Sequence, residues 1–165
     1  MKILGIDPGF GRIGWGVIEK HGSDWRAVDY GCIETSAKLK FVDRLAQLHR
    51  EVVDLIKKHK PGLMAVEELF FFKNVTTAIQ VGQARGVILL AAVNNGVPVD
   101  EYTPLQIKQA MTGYGRAEKG QMQKLVAMLL GIKVKIKSDD AADALAVALT
   151  AGHCQSYNNR LKNCR

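Results

Sequence analysis

The sequence predicts an α/β protein with a central five-stranded mixed sheet flanked by helices on both faces. Three observations lead there. Short strand-like runs and longer helical patterns alternate in the order three strands, helix, strand, helix, strand and then helices. At 165 residues the chain is the size of one domain with a real core. Its 47% hydrophobic and 24% charged residues match ordinary soluble globular usage, which argues against disorder, collagen-like repeats and coiled-coil composition.

Residues 2–7 (KILGID) form an apolar run closed by Pro8-Gly9, a buried strand with Asp7 at its tip. Residues 13–18 and 25–33 are two further strand-like runs separated by His21-Gly22-Ser23, forming an antiparallel meander with the first. From 38 to 60, Phe41, Leu45, Leu48, Val52, Leu55 and Ile56 recur at steps of three and four, the signature of one helix face, and Pro61-Gly62 ends the element. Residues 63–68 read as a fourth strand, whose apolar start gives way to Glu67 and Glu68. Residues 75–95 read as a helix whose second half is apolar nearly all round, which calls for burial by more than the protein's own sheet. Gly82 and Gly86, one turn apart, would let another backbone come close, and Asn95-Gly96 supplies the stop. A fifth strand at 97–102 precedes helices at 104–111 and 117–130. The last helix, 139–153, has Ser138 or Asp139 as N-cap and an Ala-rich body suited to lying close against a sheet. A single domain over 1–153 is expected, with 154–165 as a poorly ordered basic tail.

The longest apolar run, residues 86–93, is far short of the roughly 18 residues a membrane helix needs, and the start is too brief for a signal peptide, so a cytoplasmic protein is expected. Cys32, Cys154 and Cys164 are odd in number and lack C-x-x-C spacing, which indicates neither a disulfide framework nor a zinc knuckle.

A formal net charge of +7 points to a polyanionic partner. The charge is unevenly spread. Between Pro104 and Ser138 there are seven basic residues (Lys108, Arg116, Lys119, Lys124, Lys133, Lys135, Lys137) against one acid, Glu118. The tail adds Arg160, Lys162 and Arg165, which leaves the remainder slightly acidic.

Acids collect at strand ends and at the start of the last helix. Asp140 and Asp143 are three apart and share a face at a positively polarised helix N-terminus, where aspartates ordinarily serve as caps and dipole partners. Asp7 before Pro-Gly ordinarily makes an Asx-type turn. Convergence favours chemistry instead. If strands 1 and 4 are parallel neighbours, their C-terminal ends set Asp7 beside Glu67 or Glu68 in the crevice where α/β sheets bind ligands, and the last helix brings two more acids. Four carboxylates in one pocket repel each other unless divalent cations screen them. Oxygen-only ligands suit Mg²⁺ or Mn²⁺ rather than zinc. Two such ions about 3.5 to 4 Å apart can activate water and stabilise the leaving oxygen of a phosphodiester.

Lys108, Arg116 and Lys119 flank Gly113-Tyr114-Gly115, a basic segment suited to phosphate contacts or, equally, a solvated charged face. Lys133, Lys135 and Lys137 alternate with apolar residues and suit the outer face of an extended segment. Leu69-Phe70-Phe71-Phe72 follows the glutamates, and successive side chains of an extended chain point to opposite sides, so three Phe cannot all enter one core. An outward aromatic there suits base stacking or wedging, or a hydrophobic flap on the following helix.

With these residues placed, the sequence resembles the RuvC family of Holliday-junction resolvases from near its start to about residue 153. The matching stretches are GIDPG at 5–9, AVEELF at 65–70, VGQARG at 81–86, GRAEKGQ at 115–121 and DDAADALAVA at 139–148, in the family's order and spacing. The resemblance implies an RNase H-like fold, a bacterial setting, and a homodimer that nicks two opposing strands of a four-way junction symmetrically with Mg²⁺ or Mn²⁺. It assigns the metal carboxylates to Asp7, Glu67, Asp140 and Asp143, with Asp143 the one that varies to His in some members. It points to Phe70 as a base-contacting aromatic, to Lys108 and Lys119 as phosphate contacts, and to a branch-migration helicase complex as partner. The apolar helix 75–95 is the candidate interface, because a two-fold junction matches two equivalent sites. Rival readings are a ribonuclease on RNA-DNA hybrids, a junction-binding protein without catalysis, and a fragment of an actin-like ATPase, the last disfavoured because such proteins need two related domains.

Overall fold

The computed structural model describes residues 1–69, 75–113, 119–134 and 136–163, and the described side chains are those of 1–69, 77–113, 120–134 and 136–155. The elements run β1 (Lys2–Asp7), β2 (Arg12–His21), β3 (Asp24–Glu34), α1 (Phe41–His59), β4 (Leu63–Glu67), α2 (Val75–Asn94), β5 (Val99–Tyr102), α3 (Pro104–Thr112), α4 (Lys119–Leu129) and α5 (Asp139–Asn163). The five strands form one sheet in the order β3-β2-β1-β4-β5. β1, β2 and β3 pair antiparallel, whereas β4 pairs parallel with both β1 and β5. The expected mixed sheet is therefore present, with crossover helices joining its parallel strands.

Each face carries its own core. Leu4, Ile6, Ile13, Val17, Met64 and Val66 pack with Leu48, Val52 and Ile56 of α1 and with Ala84, Ile88, Ala91 and Ala92 of α2. On the opposite face Ile3, Ile18, Leu63 and Ala65 pack with α3, α4 and α5, including Ile107, Met111, Val126, Leu145 and Leu149. Covering on both sides explains why β1 and β4 read as continuous apolar runs rather than alternating ones.

Local signals set the ends of the helices. α1 stops at Lys60, whose backbone is left-handed (φ 50) and whose N–H donates to the Ile56 carbonyl at 2.8 Å, just before the Pro61-Gly62 stop. α3 opens on a capping box: the Gln106 N–H donates to the Thr103 hydroxyl at 3.2 Å, and Thr103 N–H donates to Gln106 Oε1 at 2.8 Å. α5 runs to Asn163, beyond the end at 153 that the pattern predicts, so its backbone continues through the expected tail.

On α2 the inward side is filled by alanines and Ile88, while Ile79, Leu90 and Val93 are exposed at 59%, 54% and 66%. A Cβ added at Gly82 or Gly86 would meet nothing within 4 Å. The apolar surplus predicted for this helix thus lies uncovered on its outer side. Among the described residues no helix is long and apolar enough to cross a membrane.

Candidate active site

Asp7 closes β1 and Glu67 closes β4. The two strands are parallel and pair Ile3 with Leu63 through Ile6 with Val66, so the next step sets Asp7 beside Glu67. Alternation then decides their direction. Leu4, Ile6, Met64 and Val66 enter the core under α1 and α2, whereas Ile3, Leu63 and Ala65 enter the core under α5. Asp7 and Glu67 continue the second set and project toward α5. Glu68, one residue on, lies past the end of β4 and outside the alternation that directs Glu67, which separates the two glutamates that sequence spacing left equivalent.

α5 reaches this place because three glycines let it. A Cβ at Gly5 would strike the backbone of Ala144 and Ala148, one at Gly14 would strike the Asp140 carbonyl, and one at Gly16 would overlap Leu145. With hydrogen in those positions and alanines at 141, 142, 144 and 148, the start of α5 lies directly on β1 and β2. Asp143 consequently joins Asp7 and Glu67 in lining one cavity of about 420 Å³, together with Lys108, Pro104, Ile107, Met122 and Ala146. Lys108 gets there because the capping box starts α3 immediately after β5, which puts residue 108 one turn into the helix.

Three carboxyls in a confined space cannot all ionise freely. The Glu67 carboxyl is pushed up from 4.5 to about 8, first by burial, then by the neighbouring Asp7 and Asp143 charges and by the hydrogen bond it shares with Asp7, against the opposing pull of Lys108. Glu67 is therefore the carboxyl of the three that is hardest to ionise in this surrounding. Asp140, one turn before Asp143, is turned another way: its Oδ2 lies 3.3 Å from Arg12 Nε, and the same Nε lies 3.3 Å from Glu34 Oε1.

The structure thus gathers Asp7, Glu67, Asp143 and Lys108 in one cavity and sets Asp140 at its margin against Arg12. Phe70 and Arg116 lie outside the described residues, and Lys119 opens α4 with its side chain outside them. Sequence reasoning missed Arg12, which precedes Gly14 and Gly16 at alternate positions of β2 and so shares the face that α5 covers. That alternation was the available signal.

Among the described residues no three Asp, Glu, His or Cys side chains close into a ready-made cation site. The donor chemistry nevertheless fits a hard divalent cation, because every anionic group lining the cavity is a carboxylate.

Comparison with known proteins agrees with this arrangement. The family model described as crossover junction endodeoxyribonuclease RuvC matches residues 3–151. The crossover junction endodeoxyribonuclease RuvC of Halothermothrix orenii is 52% identical over 160 residues, covering 97% of each chain. The solved Thermus thermophilus RuvC structure superposes with a TM-score of 0.88 at 36% identity, covering 96% of this chain and 97% of the other. A second T. thermophilus structure, RuvC in complex with Holliday junction substrate, gives a TM-score of 0.87 at 37% identity over 92% of this chain and 93% of the other. The five-stranded mixed sheet with its helices is thus an RNase H-like fold, and the chain belongs to the RuvC family of crossover junction endodeoxyribonucleases.

Proposed function

We propose that this chain resolves four-way (Holliday) DNA junctions in recombination and repair, by paired symmetric nicks through metal-dependent phosphodiester hydrolysis. The observation that carries the reading is the convergence of Asp7, Glu67 and Asp143 with Lys108 in one cavity, in a chain matched to a junction-endonuclease family over residues 3–151.

Membership of that family implies a divalent metal cofactor. Asp7, Glu67, Asp140 and Asp143 are the residues that would hold it, as Mg²⁺ or Mn²⁺ and as two ions per site. When bound, the cations supply Lewis-acid polarisation of the scissile phosphodiester and activation of the attacking water. The protein's own groups do the rest. Asp7 and Glu67, fixed at the ends of paired strands, provide a rigid carboxylate edge. Glu67 would have to be ionised to hold a cation, which would couple cation uptake to proton release. Lys108 offers its ammonium to a strand phosphate at the cavity wall. Phe70 serves as a base-contacting aromatic, and Arg116 and Lys119 as further phosphate contacts.

The active unit is a homodimer joined through the exposed apolar side of α2, where Ile79, Leu90 and Val93 surround the open Gly82 and Gly86. Two-fold symmetry then presents equivalent sites to equivalent strands. The setting is the bacterial cytoplasm, and the junction arrives from a branch-migration helicase complex.

The test is incubation with a synthetic mobile junction and Mg²⁺, mapping nicks on all four strands. Symmetric nicks on one opposing pair are expected, and Asp7→Asn should bind the junction while no longer cutting it. Preferential cutting of an RNA-DNA hybrid would favour the ribonuclease reading, and equal loss of binding and cutting in the variant would remove the catalytic role of Asp7.

A further inference from the structure

Resting on the reading of Asp140 as a cation ligand, we propose that Arg12 is a positioning residue, which holds the Asp140 carboxylate at the cavity margin and passes to Glu34 when Asp140 turns inward. Arg12 begins β2, and the strand pairing sets it directly opposite Glu34 at the end of β3. Its Nε lies 3.3 Å from Glu34 Oε1 and 3.3 Å from Asp140 Oδ2, so one donor faces two equidistant acceptors. Glu34 belongs to the sheet, whereas Asp140 belongs to the helix that completes the cavity. A further anchor is Arg12 Nη2, 3.5 Å from the Ser138 hydroxyl that itself accepts the Ala141 N–H at 3.4 Å at the start of α5. The guanidinium thus also touches the α5 N-terminus, independently of either carboxylate.

Two features suit such a handover. Arg12, Glu34 and Asp140 side chains are 55%, 67% and 34% exposed, so their ion pairs are screened and weak enough to yield to a doubly charged cation. The cavity is already lined by three carboxyls, those of Asp7, Glu67 and Asp143, and a fourth turned inward without a cation would add repulsion. Arg12 neutralises that fourth group where it lies. In this arrangement the site is pre-assembled but incomplete until a cation recruits Asp140.

The experiment titrates Mg²⁺ into metal-free protein and reads the midpoint of its thermal stabilisation, alongside the Mg²⁺ dependence of junction nicking. Arg12→Gln should lower the Mg²⁺ midpoint about two- to fivefold, and Glu34→Gln should raise it by a similar factor, the range expected for exposed ion pairs. The double variant should follow Arg12→Gln, because Glu34 acts only through Arg12; a double variant midway between the singles would reduce the effect to bulk charge and overturn the proposal. Arg12→Lys, which keeps the charge and folds as an exposed replacement, should stay near the unmodified midpoint. An Arg12→Gln midpoint that is unchanged or raised, while Asp140→Asn weakens Mg²⁺ binding, would also overturn it with Asp140 still a ligand. If Asp140→Asn leaves the midpoint where it was, the ligand reading itself falls and takes the handover with it.

Discussion

The protonated Glu67 makes a stability prediction that can be worked through in full. Its carboxyl titrates near 4.5 when unhindered and at about 8 in the folded site. A folded value above the unfolded one means that between these limits the unfolded chain releases a proton that the folded chain must keep. The stability contribution is therefore fully present below about pH 4.5 and is lost as the pH climbs to about 8. A displacement of that size corresponds to at most about 5 kcal/mol, and water at the cavity mouth screens part of it, so a loss of about 2 to 3 kcal/mol is expected. Glu67→Gln keeps the shape and removes the ionisation. Urea unfolding of both proteins in a chelator, at intervals from pH 5 to 8, isolates the titration of Glu67 and the carboxyls coupled to it, since groups remote from the cavity cancel in the difference. The variant should gain on the unmodified protein by about 2 to 3 kcal/mol over this range. A difference that stays flat with pH, or that grows in favour of the unmodified protein, would refute the argument that burial beside Asp7 and Asp143 holds the proton.

Other perturbations test neighbouring parts of the structure. Lys108→Ala should slow nicking and reduce the slope of log binding constant against log salt by about one, measured by fluorescence anisotropy with a labelled junction, as for one lost phosphate contact. Gly14→Ala places a methyl against the Asp140 carbonyl and should cost about 1 to 3 kcal/mol by chemical denaturation, with a larger proportional loss of nicking because the start of α5 must move. Leu90→Glu, at a position 54% exposed, should leave single-chain stability within about 0.5 kcal/mol while sedimentation shifts from dimer to monomer.

Strand and helix positions were legible because their signals are local. The Phe41 to Ile56 spacing, the Pro61-Gly62 stop and the Asn95-Gly96 stop each act within a few residues, and the helix ends lie within one to three residues of where these signals put them, the start of α1 being the three-residue case. The exception is the far end of α5, where Cys154 to Asn163 offers no amphipathic pattern to extend a helix from.

The chain alone determined that acids would lie at the ends of β1 and β4 and at the start of α5, because turn and capping residues punctuate the elements there. It also determined, through five ordered motifs, which family these acids belong to. Strand spacing left Glu67 and Glu68 equivalent and the family resemblance preferred Glu67, but only tertiary structure supplied the physical reason, because β4 is apolar on both faces and its own pattern cannot say which side is which. That choice needed the parallel register with β1 and the helix layer each face meets. Tertiary structure likewise decided that Asp143 enters the cavity while Asp140 meets Arg12, a contact across 128 residues of chain that follows from three glycines admitting α5 onto the sheet. Local sequence sets where side chains leave the backbone, and packing sets what they face when they arrive.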